Sequence, residues 1–281
     1  MEDYSDAALV IVGHGSTRNR DSAKPVYQHA EEIRRRGLFA QVIEAFWKIE
    51  PGLSAVLRGV SAERVFIVPL FISEGYFTEE VIPREMGFCE KGETDFPRIR
   101  EADGRTLHYC GPIGTHESMT EVLIARANEV VVKHPFPLLP KEKNRSVFIA
   151  GHGTGNNENS RKAIERQVEK IREQDLYVDV HAIFIEEDPR IGDCWELAQT
   201  KNIVVVPFFI SEGLHSNEDI PMLLGEPERI VRKRLAQGRP TWRNPTERHG
   251  KRLWYSRAIG DEPHIADVIL ERVGEMGGKK L

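Results

Sequence analysis

Short apolar runs that break at glycine alternate with segments whose apolar residues recur every three or four positions, and the whole alternation occurs twice. ALVIVGHGS from residue 8 and SVFIAGHGT from residue 146 are apolar throughout and stop at glycine. That is the pattern of a strand buried on both faces of a parallel sheet. Helical spacing follows: Val26, Ala30 and Ile33 recur ahead of Gly37, and Ile164, Val168 and Ile171 do the same in the second half. QVIEAF and VDVHAIF predict second strands. Pro51 and Pro189 open the next helices, and RVFIVPLFI and NIVVVPFFI predict third strands. A last strand, around Leu107 or Leu253, leads into a closing helix carrying Val122 or Val268. Alternating strands and helices imply an α/β fold of two tandem similar lobes, each a parallel sheet flanked by helices and joined by right-handed crossovers.

The two halves keep register. His14 matches His152, Pro69 matches Pro207 and Pro83 matches Pro221, each pair 138 residues apart, so residues 9–83 and 147–221 align without an insertion. LHYCGPIGTH at 107 matches LWYSRAIGDE at 253 with an offset of 146, which puts eight extra residues in the second copy. The Pro-rich HPFPLLPKEKN places a linker at 134–145, between an N-terminal lobe at 1–133 and a C-terminal lobe at 146–281.

Composition narrows the chemistry. Of 281 residues 40% are hydrophobic and 30% charged, as in a globular protein, and no apolar run is long enough to span a membrane. Three separated cysteines encode neither a disulfide framework nor a CxxC metal site, which fits a cytoplasmic protein. A net charge of −5 argues against a nucleic-acid partner. The local exception runs from Arg229 to Arg257, where ten basic residues, Arg232, Arg234 and Arg239 among them, meet a single acid, Glu247. Such a stretch is a solvated face or a dock for an anionic ligand.

Ligands of open parallel sheets gather beyond the carboxyl ends of the strands, where the pattern puts His14, His152 and His215. A lone histidine is most often structural, but the repeat changes that weighing. IVPLFISEGYFTEEVIP and VVPFFISEGLHSNEDIP are near copies in which Phe77 stands at the place of His215. A demand of the scaffold would apply to both copies, whereas one active site needs the imidazole once. Gly151 and Gly153 are read as clearing space beside His152 for a bulky ligand.

VFIAGHGT together with VVPFFISEGLHSNEDIP resembles the CbiX-type chelatases, the sirohydrochlorin cobaltochelatases and ferrochelatases also called class II chelatases. The resemblance covers nearly the whole chain. It implies two lobes related by a pseudo-twofold, with a tetrapyrrole held in the cleft between them. The family's two metal-site histidines map to His152 and His215, the first also to His14. The implied reaction inserts a divalent metal, cobalt first and iron(II) or nickel as alternatives, into sirohydrochlorin or a related tetrapyrrole of cobalamin or sirohaem biosynthesis. Imidazole suits these ions, and two neutral ligands hold an ion loosely enough to release it. No organic cofactor and no ATP are implied, and the sequence has no GxxxxGK[ST] phosphate loop.

One feature departs from the family's pattern. Its glutamate at the end of the second strand is Glu44 in the first copy but Ala182 in the second. Glu186, Glu187 and Glu212 are candidate substitutes, and Glu212, matched by Glu74, also reads as a brace of its loop. Arg232, Arg234 and Arg239 are candidates to meet substrate carboxylates, and Phe77 to pack on the flat macrocycle. A non-catalytic tetrapyrrole or metal carrier is the second reading. A histidine phosphatase is the third, disfavoured because Gly13 and Gly151 stand where an arginine would precede the histidine. The sequence leaves the oligomeric state open, and two lobes within one chain are compatible with a monomer.

Overall fold

The all-apolar runs become the central strands of two sheets of five. In the computed structural model, which describes residues 3–17, 19–153 and 158–277, the first sheet has the order β2-β1-β3-β5-β4 and the second β7-β6-β8-β10-β9. Thr154 of the second GHGT turn and the outermost ends of the chain lie outside the described residues. The strands are β1 (Ala7–Gly13), β2 (Gln41–Phe46), β3 (Arg64–Pro69), β4 (Ile99–Ala102), β5 (Arg105–Tyr109), β6 (Ser146–Gly151), β7 (Asp179–Phe184), β8 (Asn202–Pro207), β9 (Thr246–Arg248) and β10 (Lys251–Tyr255). Every residue of β1 and β6 is buried. Four strands of each sheet are parallel, as the apolar runs predict.

The sheets are mostly parallel, as read from the sequence, and each gains one edge strand that the sequence reading did not include. β4 and β9 run antiparallel to β5 and β10 at one edge. Each pair is closed by a two-residue turn with both central residues left-handed, Asp103 and Gly104 (φ 51° and 73°) or His249 and Gly250 (φ 54° and 72°). Such turns match the twist of a hairpin, and Asp-Gly is their sequence signal. Pro51 and Pro189 also do not open helices. Each sits in a turn whose carbonyl accepts a strand-end N–H at 2.8 Å, from Phe46 or Phe184, and the helices that follow are single turns, Leu53–Val56 and Cys194–Leu197.

The sequence repeats and the compact units divide differently. One unit comprises residues 3–119 with 263–277, the other residues 120–262. The closing helix Ile265–Gly277 therefore belongs with the first sheet. There Arg36 of helix Lys24–Arg36 pairs with Asp267, and the Arg272 guanidinium donates to the Pro112 carbonyl at 2.8 Å and to Thr115 Oγ1 at 2.7 Å. Helix Met119–Lys133 belongs, from Thr120 on, with the second sheet. Its Thr120 hydroxyl donates to Gln167 Oε1 at 2.7 Å on helix Glu158–Glu173, and the buried Arg126 pairs with Asp261 at 2.6 Å. A helix with one apolar stripe is stable against any complementary face, and each closing helix belongs to the unit built on the sheet of the other repeat. No helix among the described residues is long and apolar enough to cross a membrane.

Candidate active site

In the second unit, β6 ends at Gly151 and hands His152 to the carboxyl edge of the sheet. The flanking glycines serve the fold, which corrects the reading that they clear room for a ligand. A Cβ on Gly151 would lie 2.0 Å from Ile164 Cδ1, so the glycine lets helix Glu158–Glu173 close onto the sheet. Gly153 has φ +65° and packs on Phe184 and Glu187. In the first unit Gly13 faces Val26 in the same way, at 2.6 Å. The GHG turn is therefore a strand-to-helix device that holds an imidazole at a fixed place.

His215 begins a π-helical turn, His215–Asp219, in which the Ile220 N–H reaches back to the His215 carbonyl. Such turns insert one residue into a helix and re-aim a side chain. Here the turn is pinned from several sides. The Tyr255 hydroxyl donates to the Ser216 carbonyl at 2.7 Å, Ser216 Oγ donates to Glu212 Oε2 at 2.9 Å, and the Ala258 N–H donates to Glu212 Oε1 at 2.8 Å. Glu212 thus braces the loop with both oxygens, the second of the two roles its sequence position allowed.

The rings of His152 and His215 lie 4.6 Å apart, centroid to centroid, and almost perpendicular at 86°. His215 Nδ1 lies 2.7 Å from Asp219 Oδ2, and His152 Nδ1 faces the Gly153 carbonyl at 3.3 Å and Glu186 Oε2 at 3.7 Å. A carboxylate and a carbonyl only accept, so in both rings the proton sits on Nδ1 and the lone pair on Nε2. One ion with bonds of roughly 2.0–2.1 Å could bridge two such nitrogens. Among the described residues no group of three or more His, Cys, Asp and Glu side chains is placed to hold a metal. The two imidazoles face each other, with Phe209 5.9 Å from the His215 ring.

The other candidates fall elsewhere. Glu44 is engaged by Arg34 at 2.6 Å, and Arg34 also donates to the Val42 carbonyl. Arg172 donates to Val180 in the second copy, so the arginine is a helix-to-strand strut whose acid partner became Ala182. Glu187 is taken by Arg161 at 2.9 Å. Glu186 is the carboxylate left beside His152, with 56% of its side chain exposed. In the basic stretch, Arg234 pairs with Glu226 at 3.0 Å and donates to the Thr241 carbonyl, Arg248 donates to the Leu224 and Gly225 carbonyls, and Lys251 donates to those of Trp195 and Ala198. Much of the stretch therefore ties the insertion to its own unit. Arg232, paired with Glu228, and Arg239 are exposed. Asp219 was missed as a site residue, although the contrast of EDIP with EVIP carries its signal: Val81 stands for Asp219 where Phe77 stands for His215.

In the first unit His14 keeps its place, 4.9 Å from Phe77 and 5.2 Å from Trp47, edge to face with both.

The sequence pattern of the CbiX family matches residues 8–130 and again residues 146–276. The chain belongs to the CbiX family. Over 280 residues it is 44% identical to a Halobacterium salinarum protein named probable sirohydrochlorin cobaltochelatase, covering 96% of this chain and 91% of that one. A Methanococcus maripaludis sirohydrochlorin cobaltochelatase is 28% identical over 141 residues, 43% of this CbiX chain but 97% of its own. One repeat here thus corresponds to a whole chain there. Among solved structures, a multi-domain Deinococcus radiodurans protein, described as similar in structure to chelatases and as carrying two additional novel domains, superposes with a TM-score of 0.76 at 29% identity. The match covers 95% of this chain and 54% of that protein, so the chain spans about half of its length. SirB from Bacillus subtilis, solved with Fe3+, superposes with a TM-score of 0.65 at 18% identity, covering 96% of this chain and 95% of that one, which shows a shared fold.

Proposed function

We propose that this CbiX-family metal chelatase inserts a divalent metal, cobalt foremost, into sirohydrochlorin. The observation that carries the reading is the pair His152 and His215, 4.6 Å apart with both Nε2 lone pairs available. The names of the Halobacterium and Methanococcus relatives support the tetrapyrrole and the metal. The metal is a substrate, and the protein works without an organic cofactor, in the cytoplasm and as a single chain.

The two imidazoles hold the ion until the pyrrole nitrogens replace them. Metal insertion releases two N–H protons and transfers no electrons, so the site needs bases. As the ion leaves, Nε2 of each histidine is freed and can take a proton. Asp219 steadies the imidazolium of His215, and Glu186 offers the proton on His152 a way to water. Arg232 and Arg239 meet the acid groups of the substrate.

Anaerobic metalation of sirohydrochlorin, followed by absorbance with cobalt, iron(II) and nickel at equal free concentration, tests the reading. Turnover should be fastest with cobalt. Iron or nickel leading would overturn the metal assignment alone, and no acceleration with any of the three would overturn the reaction.

Asp219→Asn separates positioning from folding. The amide still accepts from His215 Nδ1 but supplies no charge, so cobalt affinity in equilibrium dialysis should fall about tenfold. The thermal midpoint should stay within about 2 °C, because the pair is partly solvated and exposed pairs contribute little, about 0–1 kcal/mol. Unchanged cobalt affinity would remove Asp219 from the site.

A further inference from the structure

The first unit repeats the backbone of the site but not its chemistry. Residues Phe77–Val81 form the same π-helical turn as His215–Asp219, and the Tyr109 hydroxyl bonds the Thr78 carbonyl at 2.7 Å just as Tyr255 bonds Ser216. At the 138-residue offset Phe77 replaces His215, Val81 replaces Asp219 and Lys48 replaces Glu186, while His14 is kept. Three of four polar positions have changed together on an unchanged frame.

The replacements build one surface. Phe77 meets His14 edge to face at 4.9 Å and 83°, close to the 4.6 Å and 86° of the histidine pair. Trp47 lies 4.8 Å from Phe77 and 5.2 Å from His14, and the Lys48 ammonium sits 3.4 Å over the Trp47 ring. Val81 is buried, and the His14 and Lys48 side chains are exposed. The result is an aromatic cluster of Trp47 and Phe77 with one exposed imidazole beside it and one exposed cation lying over the Trp47 face.

The tautomer of His14 gives the imidazole its use. Its Nδ1 lies 2.6 Å from the Gly15 carbonyl, which only accepts, so Nδ1 carries the proton in that contact and Nε2 of this exposed residue carries the lone pair. Capturing a free ion from water takes more than one such ligand. A metal already held by four pyrrole nitrogens needs only one more, at its axial position. That difference accounts for keeping His14 while its partner, the partner's carboxylate and Glu186 were all replaced.

We propose that the first unit is a seat for a metallated tetrapyrrole, with Nε2 of His14 as axial ligand, Trp47 and Phe77 against the macrocycle and Lys48 toward a peripheral carboxylate. The bond is a lone pair donated to the metal, and no proton or electron changes place. The proposal rests on the tetrapyrrole reading above, and its ligand is the product of that reaction.

The test uses preformed cobalt(II)–sirohydrochlorin, added anaerobically to the full chain carrying His152→Ala and His215→Ala, so that neither turnover nor the histidine pair contributes. Electron paramagnetic resonance should show the cobalt signal split by one axial nitrogen. Adding His14→Ala should abolish the splitting and weaken binding about tenfold or more, whereas Trp47→Ala should weaken binding about threefold and keep the splitting. Thermal unfolding of each variant checks the fold. Free cobalt should bind wild type at one ion per chain and the His152/His215 variant at none. Splitting that survives loss of His14, splitting lost with His152 and His215, no binding of the complex, or two free cobalt ions per wild-type chain would each overturn the seat. A chain that seats the complex yet fails to metalate sirohydrochlorin would refute the chelatase reading and leave the seat standing.

Discussion

Replacing His215 with alanine is expected to lower kcat/KM for metalation at least about tenfold, and His152→Ala should do the same. On the proposed function each ring supplies one of two lone pairs, and among the described residues no group of three or more His, Cys, Asp and Glu side chains is placed to hold a metal. Losing one leaves the ion on a single imidazole, and a tenfold loss corresponds to about 1.4 kcal/mol. The same change removes a group that accepts a pyrrole proton, so binding and chemistry fall together. His14→Ala should leave initial rates within about threefold, because its ring faces Phe77 and Trp47 instead of a second histidine. Initial rates and cobalt bound per chain decide the point. Equal losses at His14 and His152, with His215 dispensable, would move the reaction to the first unit.

The internal duplication made most of this legible before any coordinates. A constant offset of 138 located the central strands, the GHG turns and the exchange of Phe77 for His215. The structure then shows four matters that local pattern does not settle. The hairpins β4–β5 and β9–β10 were signalled by Asp103-Gly104 and by His249-Gly250, but their strands are only four and three residues long before the turn, too short for alternation to show. The assignment of the closing helices to units was invisible, because an apolar stripe specifies that a helix packs and not on what. Glu44 was marked by the family resemblance alone, and its pairing with Arg34, ten residues earlier, is a tertiary contact that resemblance does not show. The basic stretch read as a solvated face or a dock, whereas Arg234, Arg248 and Lys251 fold back onto carbonyls of their own unit. In each case tertiary contact decides between two uses of a residue that its neighbours in sequence leave equal.

The second large effect should come from a residue that touches no ligand. Gly260 lies in the turn Ile259–Asp261 after β10, where a Cβ would fall 1.4 Å from the carbonyl oxygen of Ile210. Its counterpart Gly114 meets the Ile72 carbonyl at 2.0 Å, so both copies pass this turn against the loop that follows the third strand. The obstacle is backbone, which cannot swing aside as a side-chain end can. Gly260→Ala must therefore push the loop at Ile210, and that loop continues into Glu212, whose carboxylate joins the Ala258 N–H to Ser216 and so fixes the turn bearing His215. Overpacking of this kind costs about 3 kcal/mol, or roughly 6–12 °C in thermal midpoint at about 2–4 °C per kcal/mol for a chain of this size. Cobalt binding should fall further than the unfolded fraction explains, since the brace moves even in folded molecules. Gly238→Ala is the control: its φ of +62° carries the left-handed penalty, but a Cβ there meets nothing within 4 Å. It should cost only about 1–2 kcal/mol and leave cobalt binding intact. A Gly260→Ala chain that melts no lower than Gly238→Ala and binds cobalt as wild type does would show that this turn does not hold the histidine loop in place.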